Sequence, residues 1–267
     1  MTQLIAAICD GGQTMVTVSD RMISTGDMTL TFEPDRSKAI PIARNAVLLT
    51  SGTMHEPDLI DDARQLIRGK DRIRDIADVL KEQYQNIRER RIEEEILRPF
   101  AGIKSFAEYH QKQATLHEGV LMELNARIAE FSLGLTLLLG GYDGAGHVMV
   151  IEDPGIWTSW DMVAHAYAGM GNRHVEGVFA WYRYTRAFKL NEALWVAFEA
   201  KKRSEAAGGV GKMTDAFIIN REGISQLSTA TIEELDDIYD GRENGGRRVF
   251  DKRVNELSIL REPVADS

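Results

Sequence analysis

The chain has 267 residues, 43% of them hydrophobic and 27% charged, which is typical of a globular protein with enough apolar side chains for a full core. A formal net charge of −9 argues against nucleic acid as the main partner, because phosphate binding needs a basic surface. No apolar run approaches the roughly 20 residues that span a bilayer, so no membrane association is predicted. A single cysteine and a start without signal-peptide features predict a cytoplasmic protein.

The first part of the chain has the pattern of β-strands. Short apolar runs at residues 4–9 and 15–19 flank the turn Asp10-Gly11-Gly12, and together they predict an N-terminal hairpin. Further strands are predicted at residues 28–32, 38–42 and 46–51. Several of these runs are apolar on both faces, as expected for strands that are covered on both sides.

Helical spacing of apolar residues follows. It predicts helices over residues 57–68, 71–97 and 104–131. Pro99 and Gly102 are expected to end the second of these helices and to separate it from the third. Two long helices joined by a Pro/Gly turn predict a helical hairpin, inserted at about residues 70–132.

Strands return in the second half of the chain. A hairpin is predicted at residues 135–142 and 147–152 around a Gly-rich turn, and a weaker strand pair at 156–159 and 164–169. Helices are then predicted at 173–184, 191–205 and 232–239, and strands at 215–220 and 224–227. Asn191 is the predicted N-cap of the second of these helices.

The order of elements is strands, helices, strands, helices, strands. Two antiparallel sheets packed together, with a helical layer outside each, would satisfy this order. The sequence therefore predicts an α+β fold, a four-layer αββα sandwich with a long helical hairpin insertion. The domain is predicted over residues 1–240, interrupted by the insertion at about 70–132, with a C-terminal tail at 241–267.

Several short motifs follow one another along the predicted sandwich. They are Thr2 at the start of the first strand, Val18-Ser19-Asp20-Arg21, Lys38-Ala39-Ile40, Thr50-Ser51-Gly52, Leu139-Gly140-Gly141-Tyr142-Asp143, Gly169-Met170-Gly171-Asn172 and Thr214-Asp215-Ala216. In this order, and with 14 positions from Lys38 to Gly52, the chain resembles proteasome β-subunits and the peptidase subunits of bacterial ATP-dependent proteases. The resemblance covers roughly residues 2–54 and 133–228, and it places the chain among N-terminal-nucleophile hydrolases.

The resemblance implies a threonine peptidase. After removal of Met1, the Thr2 hydroxyl would be the nucleophile and the α-amine of Thr2 the base, with an acyl-enzyme as intermediate. Lys38 would lie beside the hydroxyl, Asp20 would pair with Lys38, and the Gly52 backbone N–H would bind the oxyanion. The resemblance also implies a homo-oligomer, as a ring or stacked rings, an ATP-dependent unfoldase as partner, and a peptide substrate.

Departures from the family pattern leave two alternatives open. Met170 stands where the family has a serine beside the threonine amine, and Ser204 and Ala207, with Glu205 one step away, stand where proteasome members have an acid and a serine. Met170 and Ala207 favour a catalytically silent structural subunit. A small-molecule amidase is the second alternative, because one fold hosts several functions.

Other reactive residues have ordinary interpretations. Cys9 is predicted to be a small buried hydrophobic residue rather than a nucleophile. The histidines show no i, i+4 pair, so no metal site is predicted, and the paired glycines lack a phosphate-loop context, so no cofactor is predicted. His165 and His174 flank the turn around Met170 and are interpreted as loop residues.

Overall fold

The computed structural model describes residues 2–24, 31–34, 37–52 and 56–255, and it divides into two units, of which the first ends at Leu227. The first unit contains two five-stranded antiparallel sheets. One sheet has the order β10-β1-β2-β11-β12, with β1 Gln3–Cys9, β2 Thr14–Asp20, β10 His165–Gly169, β11 Thr214–Asn220 and β12 Gly223–Gln226. The other follows chain order, with β5 Ala39–Ala43, β6 Ala46–Ser51, β7 Thr136–Tyr142, β8 Gly146–Glu152 and β9 Ile156–Ser159.

Helices cover the outer face of each sheet. Helices α1 (Glu56–Ile67) and α2 (Ile73–Ile92) pack against the second sheet, and α6 (Asn172–Tyr182) with α7 (Leu190–Ser204) lies on the side of the first. Strands β1 and β2 also contact β7, so the two sheets face each other, and every residue of β1 and β2 is buried. The predicted four-layer α+β sandwich is confirmed. Among the described residues, no helix combines the length and apolarity needed to cross a bilayer.

The helical insertion is less regular than predicted. Helix α2 continues through a π-helical turn at Glu93–Leu97 into α3 (Arg98–Ala101), so the expectation that Pro99 breaks the helix is wrong. Proline is accommodated because it lies in the first turn of α3, and the chain instead stops at Gly102, which is left-handed at φ +63°.

The return half of the insertion is two helices, where a single one was predicted over residues 104–131. It consists of α4 (Phe106–Lys112), a 3₁₀ turn at Gln113–Thr115 and α5 (Glu118–Glu130). The backbone is extended at Leu116 and His117, and the His117 side chain caps the new helix by accepting the Gly119 N–H.

The insertion has a small hydrophobic core of its own, here called the arm core. It comprises Ile92, Ile96, Leu97, Ile103, Tyr109 and Leu124. A separate and larger cluster lies between α1, α2 and the second sheet, and Phe131 packs against both clusters. The predicted helical hairpin is therefore present as a self-packed structure at the end of α2.

The strands predicted as a pair at 156–159 and 164–169 belong to different sheets. Strand β9 pairs with β8, whereas β10 pairs with β1. The chain crosses between the sheets over residues 160–164. There the Trp160 N–H donates to the Val148 carbonyl of one sheet, and the Ala164 carbonyl accepts from the Ile8 N–H of the other. The expectation that β9 and β10 pair with each other is therefore wrong, because each strand pairs with a different neighbour.

Three smaller differences concern element ends. Asn191 is not an N-cap, because α7 begins after Lys189, whose N–H donates to the Glu192 carboxylate at 2.8 Å. In the second unit, α8 runs over Thr229–Asn255, well beyond the predicted 232–239. The predicted strand at 28–32 lies largely outside the described residues, within which Thr31–Phe32 forms β4 and pairs with β3 (Ile23–Ser24).

Candidate active site

The start of β1 brings Thr2 to the end of β2. In the β1–β2 hairpin Leu4 lies opposite Ser19, so the chain just before Leu4 is beside Asp20. The Gln3 N–H donates to Asp20 Oδ1 at 2.8 Å, and Thr2 is 3% exposed. The tight turn between the two strands therefore places residues that are far apart in the sequence next to each other.

Lys38 reaches this point from the second sheet, since it immediately precedes β5. Its ammonium donates to Thr2 Oγ1, and it lies 3.2 Å from Asp20 Oδ1 and 3.4 Å from Oδ2. The Lys38 side chain is 12% exposed, so its charge acts in a largely water-excluded setting. The structure thus brings together three of the predicted site residues, and the ammonium stabilises negative charge on the hydroxyl oxygen.

Of these three residues, Asp20 accepts the most hydrogen bonds. Its side chain is fully buried, and it accepts hydrogen bonds from three backbone N–H groups as well as from Lys38. The backbone donors are Gln3 at 2.8 Å, Gly211 at 2.9 Å and Met22 at 3.0 Å. A buried carboxylate needs such partners, and here they fix both oxygens below the Lys38 ammonium.

The turn at 169–171 holds the backbone of Thr2. Met170 N–H donates to the Thr2 carbonyl at 3.0 Å, and a Cβ atom on Gly169 would lie 1.8 Å from that same oxygen. The Met170 side chain is 56% exposed. Met170 therefore holds the backbone of Thr2 through its own N–H, although its side chain has no hydroxyl to offer the threonine amine.

Ser204 lies behind this turn. A Cβ atom on Gly171 would be 2.4 Å from the Ser204 Cβ, so helix α7 packs directly against the turn. The Ser204 hydroxyl donates to the Lys201 carbonyl at 2.6 Å, within its own helix. Glu205 pairs with Lys201 at 2.7 Å, and Ala207 follows the end of α7.

Gly52 lies at the end of β6, next to the strand that begins after Lys38. The Thr50 N–H donates to the Lys38 carbonyl at 3.2 Å, which ties the two segments together. Gly52 has φ +133°, and an added Cβ would lie 2.0 Å from the Gly134 carbonyl oxygen. Only glycine fits there. The role of its N–H as an oxyanion donor stays a prediction.

Sequence reasoning missed Lys201 and Gly211. The Lys201 side chain is fully buried in α7 and donates to the Lys212 carbonyl at 2.7 Å. One signal existed: Lys201 follows Ala197 by four positions and precedes Ser204 by three, so it lies on the buried stripe of the helix. The Gly211 contact with Asp20 joins residues 191 positions apart and has no local signal.

A second polar cluster surrounds His147. Its Nδ1 lies 2.7 Å from Asp161 and its Nε2 lies 2.9 Å from Asp143, so two carboxylates bracket one imidazole. The hydrogen bond with Asp161 is the main cause that raises the pKa of His147, against the effect of burial. The cluster ties the β7–β8 turn to the crossover at 160–164.

Cys9 and His165 are packed in the interior of the fold. Cys9 is buried as predicted, and burial raises the pKa of its thiol to about 12, which leaves no thiolate at neutral pH. His165 lies on β10 and stacks on Phe179 with ring centroids 4.3 Å apart, so its interpretation as a loop residue is wrong. Within the described part of the chain, no group of three His, Cys, Asp or Glu residues is arranged for metal binding.

Comparison with models of known protein families finds no match, and comparison with curated proteins finds no significant match. What remains as a guide to function is the geometry of Thr2, Asp20 and Lys38 and the chemistry that this geometry allows.

Proposed function

We propose that the chain is an N-terminal-threonine hydrolase of the proteasome β-subunit type, which cleaves peptide bonds through an ester on Thr2 after removal of Met1. The observation that carries the proposal is the position of the Lys38 ammonium, which contacts both Thr2 Oγ1 and the Asp20 carboxylate. A threonine hydroxyl is a weak nucleophile unless a base and a nearby positive charge activate it.

The first half of the reaction forms the ester. The free α-amine of Thr2, with an ordinary pKa of about 8, takes the hydroxyl proton while the oxygen attacks the substrate carbonyl. Lys38 stabilises the alkoxide, and the Gly52 N–H is assigned to the oxyanion of the tetrahedral intermediate. Collapse of this intermediate breaks the amide C–N bond, and the α-ammonium returns its proton to the leaving amine.

The second half hydrolyses the ester. The α-amine accepts a proton from water, the resulting hydroxide attacks the ester carbonyl, and the Thr2 oxygen leaves with a proton from the α-ammonium. Asp20 does not exchange a proton in either half. Its role is to hold Lys38 charged and oriented, which its burial and its three backbone donors support.

The resemblance extends the proposal to a cytoplasmic homo-oligomer, as a ring or stacked rings, served by an ATP-dependent unfoldase. The alternative of a silent structural subunit rests on the apolar side chains of Met170 and Ala207. Against it stands the Lys38 ammonium, which contacts both Thr2 Oγ1 and the Asp20 carboxylate. A small-molecule amidase would use the same three residues, and the substrate alone would distinguish it from a peptidase.

The test begins with the intact mass of the protein after cytoplasmic expression. We expect a mass short by one methionine, and covalent labelling by a peptidyl epoxyketone, which requires both the hydroxyl and the free amine of an N-terminal threonine. Thr2→Ser should retain labelling and Thr2→Ala should lose it. Retention of Met1 with no labelling would overturn the proposal in favour of the silent subunit, and turnover of small amides but not peptides would favour the amidase.

A further inference from the structure

Lys201 is a charged side chain with no access to solvent. Its side-chain exposure is 0%, although it lies near the end of a helix where a lysine could reach water. Burial of an ammonium is costly, and it persists only where hydrogen-bond partners compensate for the lost hydration. The contacts of Lys201 therefore indicate what the buried charge does.

The ammonium of Lys201 has two described partners. It lies 2.7 Å from Glu205 Oε1, one helical turn further along α7, and it donates to the Lys212 carbonyl at 2.7 Å. Burial lowers the pKa of Lys201, and the Glu205 carboxylate opposes this effect. The charged lysine thus links helix α7 to the chain that leads into β11.

That chain, residues 211–213, is held at each of its three residues. The Gly211 N–H donates to Asp20 Oδ2 at 2.9 Å, and the Lys212 carbonyl accepts from Lys201. The Met213 N–H donates to Glu33 Oε1 at 3.1 Å. One peptide segment therefore connects Lys201 to the carboxylate of the candidate active site.

The segment is closely packed at Gly211. A Cβ atom on Gly211 would lie 1.9 Å from Glu33 Oε1 and 2.8 Å from the Met22 Cβ. Because the backbone is packed this closely, a displacement at Lys212 would change the position of the Gly211 N–H under Asp20.

We propose that Lys201 is a positioning residue: it fixes segment 211–213, so that the Gly211 N–H holds Asp20 in place beneath Lys38 and Thr2. Its catalytic consequence rests on the proposed hydrolase function. Lys201 acts through Gly211 and Asp20. A displacement of about 1 Å in such a support can lower a rate by up to about 100-fold.

The experiment compares Lys201→Met with Lys202→Met. Lys202 is the matched control, because it pairs with the same Glu205 carboxylate at 3.5 Å but from a partly exposed position. Two quantities are measured for each variant: hydrogen–deuterium exchange of the peptide that contains residues 211–213, and kcat and KM per active site, with active sites counted by epoxyketone labelling.

For Lys201→Met we expect exchange in 211–213 to accelerate at least about tenfold, and kcat to fall about tenfold or more with KM nearly unchanged. Lys202→Met should change neither quantity beyond about twofold. Unchanged exchange in Lys201→Met would overturn the proposal. Faster exchange with an unchanged kcat per active site would overturn its catalytic part, because a merely structural role lowers the folded fraction and leaves each active site intact.

If Lys201→Met does not fold, Glu205→Gln carries the test, since it weakens the anchor of Lys201 and keeps its contact with Lys212. We expect about fivefold faster exchange in 211–213, and no acceleration would count against the proposal. Absence of any Thr2 labelling in the unmodified protein would contradict the proposed function alone. The exchange measurement needs no turnover and would still decide whether Lys201 holds the segment.

Discussion

Lys38 lies between the two sheets and faces both carboxylate oxygens of Asp20, at 3.2 and 3.4 Å. Asp20 ends a strand of the first sheet, and Lys38 precedes a strand of the second. The pair therefore bridges the two sheets at the edge where Thr2 precedes β1. Disturbing it should affect both stability and activity, and the two effects can be separated.

Asp20→Asn should lower the free energy of unfolding by about 3 kcal/mol, because it leaves Lys38 without its buried counter-charge and adds a donor where backbone donors converge. Activity per folded molecule should fall about 100-fold or more. Asp215→Asn is the control: Asp215 is 2% exposed and bound to Arg21, so it should destabilise comparably and spare activity. Urea unfolding and peptidase assays measure both, and an active Asp20→Asn protein would contradict the role of Asp20.

Lys38→Arg should be inactive although it keeps the charge. The guanidinium is planar and larger than an ammonium, so it cannot contact both Thr2 Oγ1 and Asp20 from the same position. We expect kcat to fall at least about 1,000-fold, with a smaller change in stability than in Lys38→Met. Peptidase kinetics together with thermal unfolding check this, and near-normal turnover in Lys38→Arg would show that a compact ammonium is not required.

Gly52→Ala should be severely destabilising. The new Cβ would meet the Gly134 carbonyl at 2.0 Å, in a backbone with φ +133°. Gly144→Ala is the control, because Gly144 also has positive φ (+111°) but has open space around its Cβ position. The control should lose about 1–2 kcal/mol from backbone strain alone. Urea unfolding should give a clearly larger loss for Gly52→Ala, and equal losses would refute the steric argument.

Stability should decrease with pH above about 6.5, through His147. The hydrogen bond with Asp161 raises the pKa of His147 in the folded protein above its ordinary value of about 6.5. The contribution is therefore complete below about pH 6.5 and is lost as pH rises through the folded pKa. His165 has the opposite effect at lower pH. Burial lowers its pKa in the folded protein, so His165 reduces the free energy of unfolding as pH falls below about 6.5.

Urea unfolding between pH 6.5 and 9 measures this effect. His147→Gln should flatten the pH dependence in that range, whereas His110→Gln, at an exposed site, should leave it unchanged. An unchanged slope in His147→Gln would show that the bracketing carboxylates do not stabilise the imidazolium.

The layered fold could be predicted because its signals are local, whereas the grouping of Thr2, Asp20 and Lys38 was predicted from the resemblance to proteasome β-subunits. The strand period, the Asp10-Gly11-Gly12 turn and the position of Asp20 at a strand end all lie within a single hairpin. Lys38 was placed beside Thr2 by that resemblance, one mark of which is the interval of 14 positions from Lys38 to Gly52. Strands and turns depend on residues that are close together in the sequence, so a sequence pattern is enough to predict them.

The rest depends on contacts between distant residues. The break before α5 requires the His117 side chain to cap a new helix, and no breaker residue marks it. The crossover at 160–164 depends on which strands β9 and β10 find as partners. Lys201 follows the buried stripe of α7, but its hydrogen bond to the Lys212 carbonyl joins segments that no local pattern connects.

The arm core has a consequence for what can be removed from the chain. Arg88 donates to the carbonyls of both Ile128 and Phe131, so the insertion leaves the main body and returns to it at neighbouring points. The part of the insertion that follows Arg88 thus has adjacent ends, and the arm core lies within it, whereas the first half of α2 packs on the second sheet. A short turn from Arg88 to Phe131 would therefore remove the arm and leave the sheets and Thr2 in place.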